Sequence, residues 1–555
     1  MEKQSSFSVY FCSEPLDFRT LKEPSIFLMP SEDNWNDFTY RCAYEYFIHL
    51  GSGSDPINGN LMLGFISNDE RVNHIGRLRF ESDLINAEEL PTFFTIQRSM
   101  NDYRMLVRQL GHKNAEEALK SLNDLVALKK TGGTNRFLVS KATETEVFKL
   151  SFMRDSERFY AFHNASSILD GLDEESFSSI STKLSLSYQL PNFSVPHNFE
   201  LNFETNSILP KRISILIGKN GLGKSQALYT VAHSLITNGT DFQDREIGRP
   251  LINRLLAIAT PGETVNTFPP ERVRGKIKYR RLILNRNARA KAQEGFCDLC
   301  VQLARSIESI GSNDRWDLFQ QAIRTLPNIN NIHIPLKSNP TAWANHIRSV
   351  RGKHYVPLLR LKEGGEQARL EIQGSVVGNA NPVVLQENNA YPLSSGQLAF
   401  LKFTVQACLF IENGTLVLLD EPETHLHPNF ISEFVTILDR LLELTGSIAL
   451  IATHSAYFVR EVPRSQVLVF KAGEDNQVVI QNPRIKTFGA DVGAISYFAF
   501  EDEITNALVA KLINNLPSNK QERDIILNEL KEELSSDVIM YLHRKLNEDA
   551  IYESD

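Results

Sequence analysis

The chain has 555 residues, 42% of them hydrophobic and 23% charged, with a net charge of −8. This is a globular composition, long enough for two or three domains, and no run approaches the roughly 18 apolar residues of a membrane span. The charge balance argues against wholesale coating of nucleic acid, and five cysteines, an odd and sparse set, argue against a disulfide framework and fit a reducing compartment. The start, MEKQSSFSVYF, lacks the pattern of a secretory signal, so a soluble cytoplasmic protein with no membrane contact is expected.

Residues 1–190 read as a mixed α/β lobe without chemistry of its own. SFSVYF and TYRCAYEYFIHL alternate as strands do, and GSGSDPINGN is turn-rich before LMLGFIS. NAEEALKSLNDLVALKK predicts one helix, with Asn114 as its cap, Leu119, Leu122 and Leu125/Val126 on one face, and the TGG after it as the stop.

The texture changes near residue 193. NFSVPHNFELNF reads as short antiparallel strands. RISILIGKNGLGKSQALYTVAHSLI then reads as a buried strand, a glycine-rich turn and a helix. Residues 218–225 match G-x-x-x-x-G-K-[ST] in that setting. Glycines let backbone N–H groups turn inward around phosphate, and the helix start adds positive potential. Gly218, Asn220, Gly221, Gly223, Lys224, Ser225 and Gln226 are therefore expected to bind nucleotide, with Lys224 as counter-charge and Ser225 as a Mg²⁺ ligand.

Between 240 and 390 lies an inserted segment rich in proline and free of sustained heptads. Its stretch Arg272–Lys291 holds nine Lys/Arg and no acid, with Tyr279 interleaved. Two readings stay open: a phosphate-backbone contact on nucleic acid, or a solvated strand edge or dock for an acidic tail. Cys297-x-x-Cys300 has the spacing of a zinc hook, but its flanks are too short for coiled arms. A pair of buried helix cysteines one turn apart is expected.

LSSGQ, at 393–397, opens a helix. TLVLLDEPETHLHP follows, a buried strand ending in Asp420 and Glu421. A phosphate loop needs a carboxylate at the end of a neighbouring strand to hold Mg²⁺, and Asp420 fits. Glu421, one residue on, can orient or activate water. His425 and His427 lack further ligands for zinc and are read as shaping a turn. SIALIATHSAYFV is a second buried strand, ending at His454. After Phe500 the pattern is helical, with 13 acids against 6 basic residues from 501 to 555.

Leu393-Ser394-Ser395-Gly396-Gln397 resembles the LSGGQ signature of ABC-type ATPases, with Ser395 in place of the first glycine. DEPETHLHP resembles the D-E-P-E-x-x-L-H-P variant of the OLD-like (AAA_21) ATPases of bacterial antiphage systems. KTFGADVGAISYFAF (486–500) resembles the region after the switch strand in Septu-type ATPases (PtuA), including retron-associated forms.

The resemblance implies an α/β fold: an ABC-type P-loop ATPase head, mostly parallel sheet flanked by helices, plus an antiparallel β subdomain. It implies a head over 191–500 with the insert at about 240–390, after the lobe 1–190 and before an acidic helical tail at 501–555. It implies ATP and Mg²⁺, and a homodimer or higher even oligomer. One copy would give Lys224, Ser225, Asp420 and Glu421; the other would bring Ser394, Ser395, Gly396 and Gln397 to the γ-phosphate, which His454 also reaches. It implies a regulatory ATPase whose partner is a separate HNH nuclease of the PtuB kind, with a retron reverse transcriptase and its DNA as further members. The alternatives are a DNA-repair or DNA-sensing ATPase of the SMC/Rad50 kind and a slowly hydrolysing ATP-bound scaffold.

Overall fold

Three apolar runs, Ile213–Gly218, Thr415–Asp420 and Ile448–Thr453, are buried along their whole length. Strands covered on both faces cannot alternate, and such runs belong in the middle of a parallel sheet. The computed structural model describes residues 7–12, 23–31, 40–51, 55–67, 84–133, 135–177, 180–259, 267–271, 275–283, 295–324, 326, 328–338, 346–425, 428–500 and short pieces of 511–539. It sets the three runs in a seven-stranded sheet of order Lys278–Ile283, Arg254–Ala259, Thr415–Asp420, Ile448–Thr453, Ile213–Gly218, Val467–Ala472, Val478–Gln481. All neighbours are parallel except the last pair, which is antiparallel. The register sets Asp420 beside Ala452, Thr453 beside Ile217, and Gly218 beside Phe470. The strand ends that carry the predicted chemistry therefore share one edge.

A three-stranded antiparallel sheet, Phe242–Asp244, Lys183–Tyr188 and His197–Asn202, shares an apolar core with the helix Lys224–Thr237. In the insert, helices Phe296–Arg305 and Arg315–Ile323 and a five-stranded antiparallel sheet pack into one core with the helix Ser395–Phe410 and the other face of the parallel sheet. The mixed α/β, mostly parallel architecture is as expected.

The N-terminal lobe is a six-stranded sheet of order Leu84–Asn86, Ser8–Cys12, Ser25–Pro30, Ala43–His49, Ile57–Phe65, Phe93–Gln97, with its own core of strand and helix residues between Phe7 and Leu169. It meets the rest through buried charge. Arg104 grips Glu175 at 2.6 and 2.8 Å and Glu412 at 2.8 Å, and Tyr160 Oη donates to Asn413 Oδ1 at 2.7 Å. Glu412 and Asn413 lie between the helix Ser395–Phe410 and the strand Thr415–Asp420, so the lobe docks where those two elements join.

Two expectations are corrected. The single helix over 114–130 is two, His112–Ser121 and Leu125–Thr131. Asn123 is left-handed at φ +51°, and Asp124 Oδ1 caps the second helix by accepting from the N–H groups of Val126 and Ala127. Thr95 draws the freed carbonyls of Leu122 and Asn123 into bonds with the sheet. The first helix is capped at Gly111, and Asn114 donates backwards to the Leu110 carbonyl. INGN is strand, within Ile57–Phe65, and Gly59 leaves room for the Tyr46 ring across the ladder.

Cys297 and Cys300 are buried on one helix, and burial pushes the Cys297 thiol up to about 12. Of the basic stretch, 272–274 and 284–291 lie outside the described residues. The remainder forms the outer strand of the sheet, where Lys278 stands 3.8 Å from Glu157 and Arg280 3.7 Å from Glu271. In the tail, Lys520–Glu529 is helical as expected, and 501–510 and 540–555 lie outside the described residues.

Candidate nucleotide site

The strand Ile213–Gly218 runs into a loop in which Gly218, Gly221 and Gly223 all have positive φ, +156°, +82° and +95°. At Gly223 a side chain is excluded twice over, because a Cβ would press on Leu190 at 2.8 Å and on His197 at 3.2 Å. The antiparallel sheet braces this turn from outside. Tyr188 Oη donates to the Gly223 carbonyl at 3.0 Å, and a ring nitrogen of His197 lies 3.2 Å from the Leu222 carbonyl. The helix Lys224–Thr237 starts without a side-chain cap. Its first N–H groups are therefore left for a ligand, and its dipole favours an anion there.

Lys224 is only 5% exposed, and its ammonium donates to the carbonyls of Gly218 at 2.8 Å and Lys219 at 3.0 Å. Burial lowers its pKa to about 8, against the opposing pull of Glu421, Asp420 and Glu423. Ser225 Oγ donates to Asp420 Oδ1 at 2.9 Å, and Asp420 is 3% exposed. The other oxygen, Asp420 Oδ2, accepts from Thr267 Oγ1 at 2.9 Å.

Glu421 leaves the strand at φ +45°, a left-handed backbone that a non-glycine residue adopts at a cost. Its N–H bonds the Ala452 carbonyl at 2.9 Å, and Oε1 lies 3.0 Å from His454 Nε2. The hydrogen bond from His454 holds the Glu421 carboxyl below its ordinary range, with the charge of Lys224 adding to it. Glu423 sits behind this pair. Its Oε1 accepts from Thr453 Oγ1 at 2.7 Å and from the His454 N–H at 2.6 Å, while Oε2 is buried without a hydrogen-bond partner. Burial pushes the Glu423 carboxyl upward despite those two bonds.

The predicted residues thus fall into two groups. Lys224, Ser225, Asp420, Glu421 and His454 converge, with Asn220, Gly221 and Gln226 exposed at the mouth of the loop. Ser394–Gln397 form the start of a different helix. There Ser394 Oγ accepts from the Gln397 N–H and Gln397 Oε1 from the Ser394 N–H, a reciprocal cap. Ser394 and Ser395 are exposed, and among the described residues no hydrogen bond joins them to the phosphate loop. His425 closes the short turn Pro422–His425, its side chain and His427 lying outside the described residues. No group of three or more His, Cys, Asp or Glu side chains that could hold a metal ion occurs among the described residues.

Sequence reasoning missed two residues. Thr267 carries no motif and reaches Asp420 from thirteen residues beyond Arg254, where the neighbouring strand begins. Glu423 was visible as the second glutamate of D-E-P-E, but its partners come from another strand.

A glycine-rich loop, an acidic strand end and a histidine strand end lie side by side on a parallel sheet, the arrangement expected of a P-loop nucleotide-binding site. Residues 353–460 match the AAA_21 family, described as "AAA domain, putative AbiEii toxin, Type IV TA system". That match spans the helix at Ser395, the acidic strand and His454. The chain is also similar to Protein ea59 of Escherichia phage lambda, 25% identical over 515 residues that make up 89% of this chain and 90% of that protein.

Proposed function

We propose that the chain is an ATPase of the ABC type, which binds ATP·Mg²⁺ between two copies and hydrolyses it. The observation that carries this reading is the meeting of the Ser225 and Thr267 hydroxyls on Asp420, beside the Glu421–His454 pair. The donors fit the ligand. Two hydroxyls and a carboxylate are the hard oxygen set that suits Mg²⁺, and the Lys224 ammonium rests on loop carbonyls that it can leave for phosphate. Mg²⁺, when bound, neutralises charge on the phosphate oxygens. Lys224 and the loop N–H groups hold the phosphates. Glu421, kept as a carboxylate by His454, orients the attacking water and accepts its proton. Ser394 and Ser395 at the start of that helix are exposed in their own chain, which supports their use by a second copy.

Mixing tests the composite site. Lys224→Ala and Gly396→Glu chains should each be inactive. Mixed, they should recover turnover, up to about a quarter of the wild-type rate when chains pair at random. Failure to recover, with dimers present, overturns the composite site.

We infer further that ATP state restrains or releases a separate HNH nuclease in an antiphage complex, joined in retron-associated forms by a reverse transcriptase and its DNA. What supports this is the resemblance at DEPETHLHP and at 486–500. The full chain should co-purify from its native cells with such a nuclease, and its absence overturns this part of the reading without touching the ATPase.

A further inference from the structure

Away from the nucleotide site, a cavity of about 510 Å³ opens in the insert between the end of the helix Arg315–Ile323 and the strands Ile332–Leu336, Arg348–Val350 and Lys353–Pro357. Arg324, Arg348, Arg360, His333 and His346 line it, with Glu363 as the one carboxylate among the lining residues described. Arg360 is the partnered cation: its Nε lies 3.7 Å from Glu363, and its Nη1 is in contact with His346 Nδ1. Arg324 and Arg348 have no ion-pair partner among the described residues. Three guanidiniums against one carboxylate leave two positive charges facing one concavity, an arrangement that like-charge repulsion opposes unless an anion joins it. Their sum matches a phosphomonoester dianion, and planar guanidinium forks suit phosphate oxygens.

One lining histidine adds no charge to the cavity. His333 is 2% exposed, and its Nδ1 is 2.8 Å from the Asn331 carbonyl, which makes that nitrogen the donor. Its Nε2 is then an acceptor, and it is buried without a hydrogen-bond partner. Burial, with a smaller contribution from the Arg348 charge, disfavours the imidazolium. A buried acceptor without a donor is costly. That nitrogen has almost no accessible surface, so His333 gives the cavity a neutral wall and the arginines alone set the ligand's charge.

We propose that this cavity is a second ligand site, separate from the ATP site, that binds a phosphomonoester, either free, as in a nucleotide, or at the 5′ end of a nucleic-acid strand. Its volume suits a ligand of that size. The cavity is also joined through the sheet to the helix at Ser395. The strand carrying His333 pairs with Val383–Gln386, and that strand's partner Asn389–Pro392 runs into Ser394 at the signature helix.

Binding is measured calorimetrically on full-length Lys224→Ala chain, so that the phosphate loop does not contribute. The probes are AMP, a 5′-phosphorylated oligonucleotide, the same oligonucleotide with a 5′-hydroxyl, and adenosine. Saturable binding of AMP or of the phosphorylated oligonucleotide is expected, with adenosine and the 5′-hydroxyl oligonucleotide at least about tenfold weaker. AMP alone binding assigns a free nucleotide, and the oligonucleotide binding alone assigns a strand end. Adding Arg348→Gln or Arg324→Gln, both on exposed side chains, should weaken the bound probe about tenfold while leaving the melting temperature unchanged. No saturable binding of either phosphorylated probe, or equal binding in both glutamine variants, overturns the site. Neither result bears on ATP turnover.

Discussion

Glu421 Oε1 and His454 Nε2 stand 3.0 Å apart, although the two residues end different strands of the sheet. The contact exists because Glu421 turns off its strand with φ +45°, aiming its carboxylate across the neighbouring strand end rather than along its own. A base built this way is held by its partner, and the pair has consequences for rate and for pH.

Glu421→Gln should keep ATP binding and lower kcat by about 10²- to 10⁴-fold, because an amide cannot take the proton from water. His454→Ala should lower kcat less and also move the acid limb of the pH–kcat profile. The active form is the carboxylate, and the hydrogen bond from His454 holds its pKa low. Without that bond the pKa rises, so activity should be lost at a higher pH as solutions are acidified. An unshifted acid limb would separate His454 from Glu421.

Lys224 makes ATP binding sensitive to base. With its pKa brought down to about 8 in the free protein, the ammonium is lost above that pH, whereas bound phosphate favours the charged form. ATP affinity should fall about tenfold from pH 7 to pH 9, with proton uptake on binding at the upper end. Calorimetry in buffers of different ionisation enthalpy measures both. Pure burial makes the opposite demand on stability: a lysine with a depressed pKa opposes folding below about pH 8, and less so as pH rises toward 10.5.

Glu423 positions the switch strand end without touching the reacting atoms. Glu423→Ala strips the acceptor from the His454 N–H and the Thr453 hydroxyl, and should lower kcat at least about tenfold with little change in the KM for ATP. Glu423→Gln retains an acceptor oxygen and should restore most of the rate. A loss of stability with kcat unchanged in the surviving fold would make the role purely structural.

The charge network under the sheet should be the molecule's most sensitive electrostatic point. Arg104→Met leaves Glu175 and Glu412 buried with their charge uncompensated in part, and should cost about 3–5 kcal/mol in denaturant unfolding. Burial alone would raise the Glu412 carboxyl, but Arg104, Arg254 and Arg315 bring it down to about 2. A depressed carboxylate contributes stability above its unfolded pKa and loses it as pH falls through its folded one. The contribution of Glu412 should therefore fade between about pH 4.5 and pH 2, and Glu412→Gln should flatten the acid-unfolding profile in that window.

The amino-acid sequence by itself determined the parallel strands, the phosphate loop and the acid and histidine that end their strands. Each is a local matter. Continuous apolar runs report burial on both faces, and glycines with Lys224 and Ser225 report a turn around phosphate, whatever the rest of the chain does. It misjudged the helix over 114–130, where the leucine spacing continues across a break imposed by Thr95 and Asp124, residues that meet only in the folded lobe.

Only the tertiary structure decided which groups face one another. Thr267 reaches Asp420, Glu423 holds the His454 backbone, and Arg104 of the lobe meets Glu412, all across separations that no local pattern records. Strand order and register set these encounters, and both are properties of the whole core: the pairing of Asp420 with Ala452 is what brings Glu421 and Glu423 to the strand end at Thr453 and His454, and a slip of one residue there would part them.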